Sequence, residues 1–138
     1  EYDTREHTYR FLKAATVVDA GKVVNPAMAV GLIKGGMCMG LGLGSREYFQ
    51  YGPAGKVLDT SLMTYKVMHF GQTPQYLVGF VETPNLDGPY GARGLGEHGI
   101  IGMPAALANA LSAAAGVQLD DLPIVPEQIW LAVTGGKL

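Results

Sequence analysis

Between Ala27 and Gly44 the chain places six glycines (Gly31, Gly35, Gly36, Gly40, Gly42 and Gly44) in an otherwise apolar run broken only by Lys34. Asn25 is a good N-cap and Pro26 suits the first helical position, so the run reads as a helix from Pro26 to about Phe49. Each glycine in a helix interior costs about 1 kcal/mol relative to alanine. At roughly 100° per residue, Gly31, Gly35 and Gly42 share one face, and Gly36, Gly40 and Gly44 share a second, nearly opposite. Close packing must offset the loss on both faces. The fold is therefore expected to grip this helix from two sides, with protein or with a bound ligand. The run is also about long enough to cross a bilayer. Lys34 at its middle and the glycines favour a buried helix instead, and no membrane partner is expected.

The flanking sequence supplies strands, turns and two further helices. Glu1-Tyr2-Asp3 reads as the first arm of a hairpin turning at residues 4–8, and Tyr9 to Val18 as a strand with a β-branched end. Asp19-Ala20-Gly21-Lys22 is a turn, with Val23-Val24 extended. Tyr51 to Lys56 is a turn, residues 57–65 are irregular and 66–75 a loop. Tyr76 to Glu82 is a strand, apolar enough to be buried on both faces. Met103 to Ala115 is a helix with Leu107 and Leu111 on its buried stripe, closed by Gly116. Asn109 lies off that stripe. Asp120-Asp121 is a solvated turn. A last short helix starts at Pro126, with Trp130 capping the core and a frayed tail from Thr134 to Leu138. Met37, Cys38 and Met39 read as core. Glu47 opposes the macrodipole near the end of the long helix and calls for a cationic or hydrogen-bonding partner. The sum is an α+β fold, a small mixed sheet packed by the long glycine-rich helix and a C-terminal helix.

At 138 residues the chain is about one domain, spanning 1–138. Only 16% of its residues are charged and 48% are hydrophobic, so some of its surface is expected to be covered by more protein. A net charge of −2 offers no footprint for nucleic acid. The single cysteine excludes an internal disulfide and fits a reducing, cytoplasmic setting. No methionine precedes Glu1 and the first residues already read as strand, which suggests a segment of a longer polypeptide. His7 and His69 each lack a second ligand at metal-binding spacing, so no metal ligand is expected on the chain.

Pro89-Tyr90-Gly91-Ala92-Arg93-Gly94-Leu95-Gly96-Glu97-His98-Gly99 is the stretch with a chemical character. Four glycines let backbone approach another surface closely, and one carboxylate rides among them. An ordinary flexible loop would have the same composition. A phosphate-binding loop is a poor match, because the Lys-Ser/Thr pair is missing.

Three stretches in order, Asp19-Ala-Gly-Lys-Val-Val-Asn-Pro26, the glycine-rich helix leading to Glu47, and Gly91-Ala-Arg-Gly-Leu-Gly-Glu97, resemble the C-terminal part of the molybdenum-binding subunit of the xanthine dehydrogenase and aldehyde oxidoreductase family. Thr64-Tyr65-Lys66 followed by Gln72-Thr73-Pro74 resembles the connection between helix and strand in these proteins. The resemblance covers nearly the whole chain and implies the C-terminal segment of a larger molybdopterin-binding subunit. It implies a molybdopterin-type molybdenum cofactor, in its cytosine dinucleotide form, backed by Gly31, Leu32, Gly35, Gly94, Leu95 and Gly96. Glu97 matches the glutamate that serves this family as general base. The implied activity is hydroxylation of a purine, an N-heterocycle or an aldehyde with water as oxygen source. The implied partners are the N-terminal remainder of the subunit and iron–sulfur and FAD subunits or domains, since one cysteine cannot hold a cluster.

The sequence departs from the family pattern at Leu32, where a glutamine that hydrogen-bonds the cofactor is usual; leucine has no donor or acceptor. Lys34 replaces an acidic residue. Arg93 stands for the usual lysine and is expected to order the loop, and His98 replaces a proline. Leu32 leaves open a second reading, a non-catalytic assembly domain that keeps the fold.

Overall fold

The computed structural model describes residues 1–136. In chain order the elements are strand β1 (Lys13–Asp19), helix α1 (Pro26–Ser45), strand β2 (Gln75–Val81), helices α2 (His98–Ile101), α3 (Met103–Ala115) and α4 (Pro126–Thr134), with single 3-10 turns at Pro53–Gly55 and Pro89–Gly91. The α+β class is as expected. The sheet is smaller than the mixed sheet foreseen: among the described residues β1 and β2 form one parallel pair, in register from Lys13↔Gln75 to Asp19↔Val81.

Helix α1 starts as its sequence dictates, with the Asn25 side chain accepting the Met28 N–H at 3.1 Å and Pro26 in the first turn. It ends at Ser45, four residues earlier than the apolar run suggested. The amides of Arg46 and Glu47 both turn back to the Gly42 carbonyl. Glu47 folds over Gly42 and accepts the Tyr65 hydroxyl at 3.0 Å, the partner its position called for.

The core is built on Ile33, Met37 and Leu41, one turn apart on α1, against Met103, Leu107 and Leu111 of α3. Val18 from β1 and Leu119, Ile124 and Ile129 from the C-terminal segment complete it. Burying each such side chain contributes about 1.5–3 kcal/mol. Ile124 is tied in twice, its N–H to the Gly44 carbonyl at 2.8 Å and its carbonyl to the Tyr9 hydroxyl at 2.6 Å. Burial raises the Tyr9 hydroxyl to about 12.

Several expected burials are corrected. Ile129 plugs the core, whereas its neighbour Trp130 is only half-buried. Met37 is fully buried, but Cys38 is half-buried and Met39 exposed, because they project from other faces of the same helix. β2 is covered on one face: Tyr76, Val78 and Phe80 turn toward the core, while Leu77 and Val81 are exposed. The strand expected from Tyr9 begins at Lys13, since Tyr2 and Tyr9 pair in an antiparallel hairpin before it. Thr134 closes α4, its hydroxyl on the Trp130 carbonyl at 2.8 Å and Gly135 left-handed behind it. The last two residues of the expected frayed tail, Lys137 and Leu138, lie outside the described residues.

Candidate functional site

The three stretches that stood apart in the sequence meet in space. Gly21 pairs with Ala92 across an antiparallel bridge, Lys22 N–H donates to the Gly91 carbonyl at 3.0 Å, and Arg93 N–H donates to the Ala20 carbonyl at 2.9 Å. This seam needs glycine at 21: its φ is +57°, and a Cβ there would collide with the Gly91 carbonyl. Asp19 fastens the same corner. Its carboxylate accepts the amides of Gly21 and Thr83, both at 3.1 Å, and faces the Arg93 guanidinium at 3.7 Å. The Gly21 N–H first, then Thr83 and Arg93, hold its pKa below the ordinary value. Arg93 also donates to the Thr83 carbonyl at 3.2 Å, so it orders the loop as expected. Glu82 pins the next residues, accepting the Val23 amide at 2.8 Å and the Lys22 ammonium at 3.3 Å.

From this seam the loop runs to Glu97, the residue before α2, and α2 lies directly on α1. A Cβ at Gly36 would stand 3.0 Å from Gly99 Cα, and one at Gly40 would stand 2.7 Å from the Ile100 carbonyl and from Met103 Cβ. A Cβ at Gly44 would press on Pro104 at 3.1 Å. Gly99 reciprocates, since a side chain there would strike the Ile33 carbonyl. Backbone thus meets backbone along the Gly36–Gly40–Gly44 face, which accounts for half of the helical glycines. It also fixes the residues just after Glu97.

The other face differs. At Gly31 and Gly35 no surrounding atom comes within 4 Å of where a Cβ would stand, and the same holds at Gly94 and Gly96. The second grip expected on α1 is therefore not supplied by the described residues; only Gly42 on that side has a neighbour, Glu47. Gly31, Leu32 and Leu95 border one open cavity of about 500 Å³ between the start of α1 and the loop residues Ala92, Arg93 and Leu95. Leu32 is 49% exposed and offers this cavity only hydrocarbon. Leu95, which borders the same cavity, is partly buried and packs against the core. Gly35, Gly94 and Gly96 do not border that cavity. Glu97 is exposed and its carboxylate caps no helix amide. His98 is exposed beside it. Among the described residues no group of three His, Cys, Asp or Glu is placed to hold a metal.

Two features of the site were not read from the sequence. Asp19 reads in the sequence as a turn residue alone, although an Asp side chain commonly accepts the backbone amide two residues on. The pairing of Gly99 with Gly36 had no signal, because it joins positions 63 apart.

The sequence profile of the molybdopterin cofactor-binding domain matches residues 1–74. The chain is 35% identical over 126 residues to the nicotine 6-hydroxylase large subunit of Paenarthrobacter nicotinovorans, covering 89% of this chain and 15% of that protein. It is 36% identical over 115 residues to a putative xanthine dehydrogenase molybdenum-binding subunit of Escherichia coli K12, covering 83% and 15%. The crystal structure of quinoline 2-oxidoreductase from Pseudomonas putida 86 superposes with a TM-score of 0.89 at 29% identity, over 96% of this chain and 17% of that one. The chain thus spans about a sixth of the length of the proteins it matches.

Proposed function

Because this chain belongs to the family of molybdopterin cofactor-binding domains, we propose that it works as part of the molybdenum-binding subunit of a xanthine dehydrogenase-like hydroxylase. The substrate is a purine, another N-heterocycle or an aldehyde, and water is the source of oxygen. Relatives named for nicotine and xanthine support the heterocycle class.

The observation that carries this reading is the clasp of α2 on α1. The backbone of Gly99 and Ile100, two and three residues beyond Glu97, rests on Gly36 and Gly40. An acid carried on a free loop would wander. Here it stands at the end of a segment wedged into the core helix, with open space beside the glycines that precede it. Gly31 borders the cavity beside α1, and Gly35, Gly94 and Gly96 each face open space outside it; the absence of Cβ atoms at all four leaves room for backbone to meet a bulky cofactor closely. When bound, the molybdenum cofactor, in its cytosine dinucleotide form, supplies the two-electron redox chemistry.

Glu97 is the general base. A carboxylate oxygen of Glu97 receives the proton given up by the attacking oxygen, a role that contributes about 10²–10⁴-fold in rate. Gly94 and Gly96 bring that carboxylate near the reacting group, and Leu95 anchors the loop between them in the core. Gly31, Leu32 and Gly35 back the cofactor, Leu32 through apolar contact alone. The remainder of the subunit closes over Glu97 and excludes water. Iron–sulfur and FAD subunits or domains carry the electrons away, in the cytoplasm.

Metal and pterin analysis of the complete, matured enzyme tests this reading against the alternative of a non-catalytic assembly domain, which Leu32 favours. Stoichiometric molybdenum with turnover is the expected result. Absence of both from a properly matured complex would establish the assembly domain instead.

A further inference from the structure

Among the described residues β1 is hydrogen-bonded along one edge only. The ladder opens with the Gln75 amide on the Leu12 carbonyl at 3.1 Å and closes with the Ala20 amide on the Val81 carbonyl at 3.0 Å, in unbroken register. In a parallel pair this alternation sends the amides of Ala14, Thr16 and Val18 toward β2 and turns the N–H and C=O groups of Lys13, Ala15 and Val17 the other way. Beside these groups lies a cavity of about 360 Å³ bordered by Phe11, Leu12 and Ala15 on one side and by Ala106, Ala110 and Ala114 of α3 on the other. The three alanines are successive turns of one helix stripe, small enough for another backbone to lie close over them. Sheet edges left to water are commonly blunted by charge, proline or a bulge. Lys13 is the one charged side chain at the outward positions from 13 to 17, and Val17 is 69% exposed there. Two strands alone also make a marginal sheet.

We propose that an extended segment from the rest of the subunit lies in this groove and adds to β1 as a third strand, its backbone paired with Lys13, Ala15 and Val17 and its inward side chains over the alanine stripe. This rests on the reading that the chain works within a longer molybdenum hydroxylase subunit. The chain spans 15% of the nicotine hydroxylase large subunit, so a protein of that kind has ample polypeptide to supply the strand.

Hydrogen exchange at residue resolution on the complete wild-type subunit is the test, joined to the variant Ala15→Pro. If a strand is added, the amides of Ala15 and Val17 are slowed on the order of 10²-fold or more, comparably to Thr16 and Val18. Ala15→Pro, which removes one outward donor, then blocks accumulation of folded subunit. If β1 is a true edge, Ala15 and Val17 exchange freely and the proline is tolerated, as it is in edge strands; that outcome overturns the proposal. Protection that disappears on dilution to the monomer assigns the groove to a second copy and overturns it as well. Molybdenum content of the same sample separates the two readings. A metal-free subunit with protected amides contradicts the proposed function alone, and a loaded one with free amides contradicts the added strand alone.

Discussion

Gly40→Ala is the substitution that most sharply probes how Glu97 is held. The new Cβ would stand 2.7 Å from the Ile100 carbonyl oxygen and 2.7 Å from Met103 Cβ. Ordinary contact begins near 3.4 Å. Neither obstacle is the end of a flexible side chain, so α2 and the start of α3 must retreat from α1 by roughly 0.7 Å, the shortfall of 2.7 from 3.4. Overpacking of this kind costs about 1–3 kcal/mol, and replacing a helical glycine by alanine returns about 1 kcal/mol. The net loss of stability is therefore about 0–2 kcal/mol, too little to unfold the protein. The geometric effect is larger. Ile100 receives the shift directly and its amide is bonded to the Glu97 carbonyl at 3.0 Å, so the acid moves with it. Misplacement of a catalytic group by about 1 Å can cost 10²-fold in rate. Steady-state kinetics on the complete enzyme should show kcat reduced by about 10–100-fold with molybdenum content unchanged. Gly102→Ala is the control, since nothing lies within 4 Å of its Cβ position. Equal kcat for wild type, Gly40→Ala and Gly102→Ala would refute the clasp.

Gly35→Ala places a methyl group in open space and gains about 1 kcal/mol of helix propensity; if cofactor lies on that face, molybdenum per subunit falls while thermal stability of the cofactor-free protein rises. Asn25→Ala removes the cap on the Met28 amide and should lower stability by about 1 kcal/mol in denaturant unfolding. Asp19 gives a pH signature. Its folded pKa lies below the ordinary 3.8, so its contribution is present above that value and lost as pH falls through the folded value. Asp19→Ala should therefore be less stable than wild type near neutral pH, with the difference closing in the acid range below 3.8; a constant difference across that range would contradict the assignment.

Much of this was legible because local chemistry dominates it. Asn25-Pro26 marked the start of α1, Leu107 and Leu111 marked the buried face of α3, and Gly116 marked its end. The split of helical glycines into two faces also survived: Gly36, Gly40 and Gly44 are the ones in contact with α2 and α3. What could not be read depends on partners distant in sequence. Leu77 and Val81 look like residues buried on both faces of a sheet, yet nothing among the described residues covers the outer side. Met39 and Leu43, apolar and exposed on α1, are the same case. Apolar pattern alone does not tell which neighbour, if any, covers such positions. Glu97 follows the same logic. It is exposed, and nothing among the described residues encloses it.

The central claim is that this glutamate moves the proton. Glu97→Gln keeps shape and hydrogen-bonding capacity while removing the basic oxygen. Measured at saturating substrate in the complete, molybdenum-loaded enzyme, kcat is predicted to fall by about 10²–10⁴-fold with metal content and folding intact. Normal turnover by that variant would contradict the account.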